Sequence, residues 1–191
     1  MLLQPNFTDA YERMFILGET IKEEEEKQGK LFVGRSGKLL NKMLKSAYSH
    51  RGKFFITDVF MSERPLNDDR MHFFASESDS KKEKIQVSKN LPKFNSRYIK
   101  QKYYDIEFKR LTLDLQEMQP NLIIALGATA MWATLGISTI TRSRGEIYHS
   151  RYFDIDVLPT FHPSYVLRNP YLEEVVVEDF KKAIQYSKEI K

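Results

Sequence analysis

A histidine, a serine and an arginine lie close together in Thr160–Arg168, which reads TFHPSYVLR. The apolar run Ile155–Pro159 precedes them and predicts a buried strand that ends at the proline. His162, Ser164 and Arg168 would then stand on a turn at the carboxyl end of that strand. Open α/β sheets bind ligands at this edge, so the turn is a candidate site for donating hydrogen bonds and for holding an anion.

A second polar segment follows the strand-like run Met14–Leu17. It contains Glu19, the four consecutive glutamates Glu23–Glu26, and then residues 29–40, which read GKLFVGRSGKLL. Carboxylates such as Glu19 and Glu26 can activate water or stabilise a cation. Four adjacent glutamates are more often a solvated charge run, so Glu19 is the first candidate.

Strand-like and helix-like segments alternate along the chain. The predicted strands are Met14–Leu17, Phe54–Thr57, Leu122–Leu126 and Ile155–Leu158. The predicted helices are Gly37–His50, Tyr98–Met118, Ala128–Leu135 and Tyr171–Ile190. This alternation predicts a three-layer α/β/α sandwich with a mainly parallel central sheet of about four strands. A polar insertion lies at about 61–98. Its segment Ser76–Asn90 is polar and charged, so we expect this segment to be exposed and mobile.

Composition favours a single intracellular domain spanning 1–191. The chain has 191 residues, 41% of them hydrophobic, enough for one α/β domain with a sizeable core. No apolar run approaches the roughly 20 residues of a membrane span, and Met1–Asn6 lacks the layout of a signal peptide. We therefore expect a cytoplasmic monomer without a membrane partner. The net charge of +4 supports a nucleic-acid partner only weakly.

The motifs and their order resemble the uracil-DNA glycosylase superfamily, in particular its thermophile-type (family 4), iron–sulfur-containing branch. That branch reads GEAPG, then G-x-PFVG-x-x-G-x-LL, LG-x-x-A and T-x-HPSY-x-LR. The chain carries counterparts at Gly18-Glu19, at 29–40, at Leu126–Ala130 and at Thr160–Arg168. The resemblance covers the chain except for about 61–98. It implies a DNA glycosylase that flips a pyrimidine out of DNA and hydrolyses its N-glycosidic bond, leaving an abasic site.

The resemblance implies a role for each matching side chain. His162 would donate to the base oxygen on which negative charge develops, while Glu19 and Glu26 would act on water or on the sugar cation. Phe32 would stack on the base, although an aromatic residue at such a turn is more often a core residue. Phosphate-binding and wedge positions would contact DNA; these are Ser36, Lys38, Thr129, Ser164, Val166, Leu167 and Arg168. Ordinary burial is an equal alternative for Leu167.

The first departure from the family is the absence of cysteine. The third and fourth cysteine positions of the iron–sulfur branch fall near Ser62 or Glu63 and near Tyr104. Since an iron–sulfur cluster needs thiolate ligands, the chain cannot hold one. We expect no cofactor and no metal, and we expect packing to replace the cluster.

The second departure is Asp58, which stands where the relatives carry a base-reading asparagine. An ionised aspartate has only acceptors, so it would face uracil O4 unfavourably but could accept from the amine of a cytosine ring. A protonated Asp58 or a protonated ring would complete the fit to cytosine. Thr20 and Lys22 also replace small residues of the GEAPG loop, which crowds the C5 edge of the base. The expected substrate is uracil or, given Asp58, a cytosine-derived or modified base in foreign or viral DNA.

Three alternatives stay open. Asp58 could cap a loop and read nothing. The chain could be a catalytically inactive glycosylase-like module that binds DNA or a protein. An enzyme acting on nucleotides or sugar phosphates is the third, although neither GxGxxG nor GxxxxGK[ST] is present to favour it.

Overall fold

Four parallel strands form the centre of the protein, in a computed structural model that describes residues 13–65 and 69–190. In chain order the strands are β1 (Met14–Thr20), β2 (Phe54–Phe60), β3 (Phe74–Ala75), β4 (Tyr98–Ile99), β5 (Leu122–Leu126), β6 (Tyr148–Ser150) and β7 (Ile155–Thr160). The main sheet has the order β2-β1-β5-β7-β6, with β6 antiparallel, while β3 and β4 form a separate antiparallel pair. The Met1–Asn6 segment considered above lies outside the described residues.

The predicted mainly parallel sheet is confirmed, but it has five strands rather than about four. The strand that the sequence did not reveal is β6, whose three residues, YHS, carry no apolar alternation. The prediction that the last strand ends at Pro159 is wrong, because β7 continues to Thr160. Since β6 pairs only as far as Val157, the neighbouring strand on that side of β7 needs no N–H from Pro159, and sheet edges tolerate proline for this reason.

Helices cover both faces of the sheet. They are α1 (Glu23–Gln28), α2 (Arg35–Ser46), α3 (Glu77–Lys82), α4 (Gln101–Tyr103), α5 (Lys109–Met118), α6 (Gly127–Leu135), α7 (Ile140–Ser143), α8 (Pro163–Arg168) and α9 (Glu173–Glu189). A π-helical turn, Tyr104–Phe108, joins α4 to α5. The helix predicted from Tyr98 starts later, because Tyr98–Ile99 pairs as β4. Within the described ranges, no helix is long and apolar enough to cross a membrane.

Alternate residues of β1 point to opposite faces, as expected for a strand that is covered on both sides. Met14 and Ile16 share one core with residues of α2, α8 and α9. Phe15 and Leu17 share the other with residues of α5 and α6. The predicted three-layer α/β/α sandwich is therefore confirmed.

The polar stretch Ser76–Asn90 is largely exposed, as predicted, but it has regular structure. Ser76 accepts from the backbone N–H of Asp79 (3.0 Å) at the start of α3. Ser88 N–H donates to Ile99 O (2.9 Å) and ties the stretch to β4. The insertion is thus hydrogen-bonded to the rest of the protein.

Polar side chains join the start of the insertion to α4. Glu63 Oε1 lies 2.6 Å from His72 Nε2 and also accepts from the hydroxyl of Tyr103. That hydroxyl lies 2.8 Å from His72 Nε2, and Lys102 Nζ donates to Glu63 Oε2 (3.3 Å). Glu63 and Tyr103 lie at or beside the positions for which the family resemblance implies cysteines. This group, the Glu63 network, connects segments that a cluster would have joined.

The Glu63 network should stabilise the protein in a pH-dependent way. Hydrogen bonds from Tyr103 and His72 lower the pKa of Glu63 to about 2 from its usual 4.5, so its contribution is full above pH 4.5 and is lost as the pH falls toward 2. Because 37% of the side chain is exposed, solvent screening limits the contribution. We expect Glu63→Gln to lower the free energy of unfolding by about 1 kcal/mol at pH 7.

Urea unfolding of both proteins between pH 7 and pH 2.5 measures this difference, which should shrink as the pH falls. Glu77→Gln is the matched control, because Glu77 pairs with Lys93 at an exposed site (3.3 Å). A difference between wild type and Glu63→Gln that stays constant across this range would contradict the assignment.

Candidate active site

A cavity of about 680 Å³ opens at the carboxyl ends of the four parallel strands. The ends of β1 and β2, the start of α6 and the turn after β7 all contribute to it, as expected for an open α/β sheet. The sequence-predicted residues that line it are Glu19, Thr20, Lys22, Phe32, Ser36, Asp58, His162, Ser164 and Arg168. The structure therefore brings together two segments that lie more than a hundred residues apart in the chain.

Phe32 is fixed against His162 by its backbone. It has a left-handed conformation (φ 51°), and Arg51 donates to the carbonyl oxygens of Leu31 (3.0 Å) and Phe32 (3.2 Å). Gly37 allows the turn, because a Cβ there would stand 1.6 Å from Phe32 O. The Phe32 and His162 ring centroids lie 6.0 Å apart. A bulky residue with positive φ is uncommon, and such strain is concentrated at functional sites.

His162 is a neutral hydrogen-bond donor in this setting. Its Nδ1 accepts from the backbone N–H of Ser164 (3.1 Å), which places the ring proton on Nε2. Burial lowers the pKa of His162 to about 4, with Lys22 and Arg168 adding to the effect and Glu19 opposing it. The imidazole is therefore uncharged at neutral pH, and its Nε2–H is available to donate.

Glu19 is held as an anion beside the histidine. Its Oε2 accepts from the hydroxyl of Thr129 (2.6 Å) and from Arg70 Nη1 (3.0 Å). Burial by itself would raise the pKa of Glu19, but Arg70 and Thr129 outweigh it and the pKa lies below its usual value. With Oε2 accepting two hydrogen bonds, Oε1 is the oxygen that can face a ligand or a water.

The pKa of Asp58 is shifted in the opposite direction. Only 2% of the residue is exposed, and Arg110 donates to its backbone carbonyl (2.6 Å) rather than to its carboxyl group. Burial raises the pKa of Asp58 well above its usual range, and the negative charge of Glu25 adds to this. The raised pKa favours the protonated form of the Asp58 side chain, which has one O–H donor and one carbonyl acceptor.

Thr20 places a buried hydroxyl in the wall of the same cavity. Its Oγ1 has no hydrogen-bond partner within the described residues. A buried polar group without a partner is costly, so a polar atom of a ligand would satisfy it. Lys22, two residues on, donates its backbone N–H to Glu25 Oε2 (2.9 Å) and starts α1.

Five predicted site residues do not line the cavity; they are Glu26, Lys38, Thr129, Val166 and Leu167. Glu26 is exposed on α1 and pairs with Arg64 (3.2 Å), while Lys38 is exposed on α2. Thr129 is buried and donates to Glu19, so its hydroxyl is not directed at a phosphate. Val166 is 1% exposed and belongs to the core, which is incompatible with a protruding wedge.

Several residues around the cavity carry no signal in the sequence. Arg70 comes from the insertion, where the family resemblance is lost, and also lies over the ring of Phe94 (5.4 Å). Arg51 and Arg110 act through backbone carbonyls, for which no local pattern exists. Tyr165 also lines the cavity, and it differs from these residues because its place within the histidine turn is a signal in the sequence.

The fold is that of an α/β protein with a cavity at the carboxyl ends of its parallel strands. The side chains that line this cavity include an aromatic ring, a buried carboxyl group and an imidazole. Residues 5–186 match the family model for the uracil DNA glycosylase superfamily. A type-4 uracil-DNA glycosylase of Sulfurisphaera tokodaii is 32% identical over 179 residues, covering 90% of this chain and 68% of the relative. A type-4 uracil-DNA glycosylase of Thermotoga maritima is 30% identical over 186 residues, covering 92% and 78%.

The chain belongs to the uracil-DNA glycosylase superfamily. The resemblance inferred from its motifs is thus confirmed, and it places the chain among the DNA glycosylases, hydrolases that act on N-glycosyl bonds. The donor set does not fit the iron–sulfur cluster implied by the family-4 resemblance. The chain has no cysteine, and the side chains near the expected ligand positions are occupied with one another in the Glu63 network.

Arg70 should control the charge of Glu19. Replacing it by methionine removes the largest influence that offsets burial, so in Arg70→Met we expect the pKa of Glu19 to rise. Carboxyl-carbon NMR titration, with Glu19→Gln to assign the signal, measures this. Arg97→Met is the control, because Arg97 pairs with Asp79 (3.4 Å) in the same insertion. An unchanged Glu19 titration in Arg70→Met would refute the assignment.

Proposed function

We propose that the protein hydrolyses the N-glycosidic bond of uracil in DNA, after flipping the nucleotide into the cavity. The observation that carries this proposal is the convergence of Phe32, Asp58, Glu19 and His162 on one cavity. A flipped base needs an aromatic face, a reader of its edge and a donor for the developing charge. The names of the two relatives above support uracil as the base.

The protonated form of Asp58, which burial favours, supports uracil on chemical grounds. A protonated carboxyl group can donate to uracil O4 and accept from N3–H, the same pair of hydrogen bonds that an asparagine amide would make. The unfavourable contact expected of an ionised aspartate then disappears. The raised pKa of Asp58 therefore supports a reading of the base edge like that of the relatives, despite the different residue.

The reaction follows from the charges in the cavity. The bond between sugar C1′ and the base nitrogen breaks, and its electron pair leaves on the base. His162 Nε2–H would donate to base O2, where the negative charge develops. Water adds its oxygen to C1′, and the proton that it loses neutralises the departing base.

Glu19 suits electrostatic support better than proton abstraction. Its lowered pKa makes it a weak base at neutral pH. A fixed negative charge at this place would instead stabilise the positive charge that develops on the sugar. Thr129 and Arg70 would act as positioning residues, because they orient the carboxylate.

A cytosine-derived or modified base is the second candidate substrate, favoured by Asp58 and by the unpartnered hydroxyl of Thr20. A neutral Asp58 can accept from the exocyclic amine and donate to ring N3 of cytosine. The hydroxyl of Thr20 could bond a polar substituent on the base. Neither feature requires such a base, so uracil is our first assignment.

The pH dependence of base release tests whether Asp58 reads uracil. Above the pKa of Asp58, the ionised carboxylate should lose the hydrogen bond to uracil O4, and uracil release should fall about 10- to 100-fold. Asp58→Asn should release uracil without this loss as the pH rises. Single-turnover release from duplexes that contain uracil, cytosine or 5-substituted cytosines gives both results.

Release of a cytosine derivative with uracil untouched would overturn uracil as the substrate. DNA retardation in a gel with no alkali-labile sites on any duplex would overturn catalysis. Parallel pH profiles of wild type and Asp58→Asn would refute the role of Asp58 alone.

Base release should require His162 in its neutral form. We expect His162→Ala to slow release about 100-fold, the usual cost of losing such a donor. Because the pKa of His162 is about 4, release should not fall on protonation near pH 6.5. His149→Ala is the control, since His149 is exposed and bonded to Asp156 (2.9 Å). A change of only a few-fold in His162→Ala would refute this role.

A further inference from the structure

Two exposed tyrosines stand beside the histidine turn. Tyr165 is partly exposed and lines the cavity, and Tyr171 follows α8 with 76% of its surface exposed. Asn169 links them: its side-chain amide donates to Tyr165 O (3.0 Å), and its Oδ1 accepts from the Tyr171 hydroxyl (3.4 Å). An exposed aromatic ring that is held at a defined place, next to a cavity, is suited to contact a partner.

The backbone that carries Tyr171 is fixed. Pro170 restricts its own φ and starts a 3₁₀ turn, Pro170–Leu172, which runs directly into α9. Leu172 packs against the core. The Tyr171 ring therefore has only its two side-chain torsions to lose on binding, so ordering it costs little entropy.

The two positions expected to form an apolar wedge do not line the cavity. Val166 is buried in the core, and Leu167 is half-buried and does not line the cavity. The exposed rings near the opening are those of Tyr165 and Tyr171. Arg168 also lines the cavity, with its guanidinium over the Tyr165 ring (5.9 Å), and so adds a positive charge where a DNA backbone would pass.

We propose that Tyr171 stacks on a DNA base beside the gap left by the extruded nucleotide. Asn169 holds Tyr171 in place, and Tyr165 and Arg168 belong to the same surface. The inference rests on the proposed function, because it places DNA across the cavity. Tyrosine stacks on any base, since every base has a π-face. This surface would hold the opened duplex without reading its sequence, while the cavity reads the flipped base.

Binding without chemistry tests this surface. The probe is a duplex with a tetrahydrofuran abasic-site analogue and 2-aminopurine at the adjacent or the opposite position. Wild type should quench 2-aminopurine at one of these positions, and Tyr171→Ala should lose the quenching and bind about 10-fold more weakly. Tyr171→Phe should restore both, because it keeps the ring.

Tyr48→Ala is the matched control, since Tyr48 is 88% exposed and lies near Lys181 of α9 (5.9 Å). Quenching and affinity that are equal in wild type, Tyr171→Ala and Tyr48→Ala would overturn the inference, even if the protein releases bases. Loss of quenching in Tyr171→Ala alone, with no base release by wild type, would support the stacking surface while the proposed function fails. Thermal unfolding of each variant verifies that it is folded.

Discussion

Gly18 lies beneath two of the side chains that form the cavity, and the arrangement of the site depends on its lack of a side chain. A Cβ at this position would stand 2.0 Å from Asp58 Oδ1 and 2.8 Å from the Phe32 ring. The parallel register of β1 and β2 places Gly18 opposite Asp58, so strand pairing itself brings the carboxyl group over the glycine. The glycine of the first motif is thus a packing requirement, because any larger residue would displace the acid or the ring.

The same packing sets the protonation states on which the chemistry depends. Asp58 and Glu19 are both largely buried, yet their pKa values are shifted in opposite directions. Glu19 has a guanidinium and a hydroxyl on its carboxylate, whereas Arg110 bonds to the backbone carbonyl of Asp58. One carboxyl group whose protonated form is favoured and one that is held as an anion therefore lie in one cavity. Environments that separate two titratable groups in this way are how active sites assign roles to similar residues.

Those parts of the fold and of the candidate site that depend on local or periodic patterns could be predicted from the sequence. Apolar runs mark the four parallel strands, and motif order places Phe32 and His162 at one sheet edge. The glutamate run shows the limit of this reasoning, because adjacent residues on a helix point about 100° apart. Glu25 lines the cavity, whereas Glu26 pairs with Arg64. Four consecutive glutamates carry no apolar marker that could have shown which face of α1 turns inward.

The contacts of the insertion show why the rest of the candidate site could not be predicted from the sequence. Arg70 stands two residues before His72, within one short turn, and His72 is bound by the Glu63 network. The residues that occupy the expected cysteine positions thus help to anchor the segment that delivers a cation to Glu19. Loosening the network would move Arg70, and the pKa of Glu19 would then rise because Arg70 would no longer offset its burial. The Glu63 network is in this way coupled to the charge of the candidate active site, through pairings that only the folded chain creates.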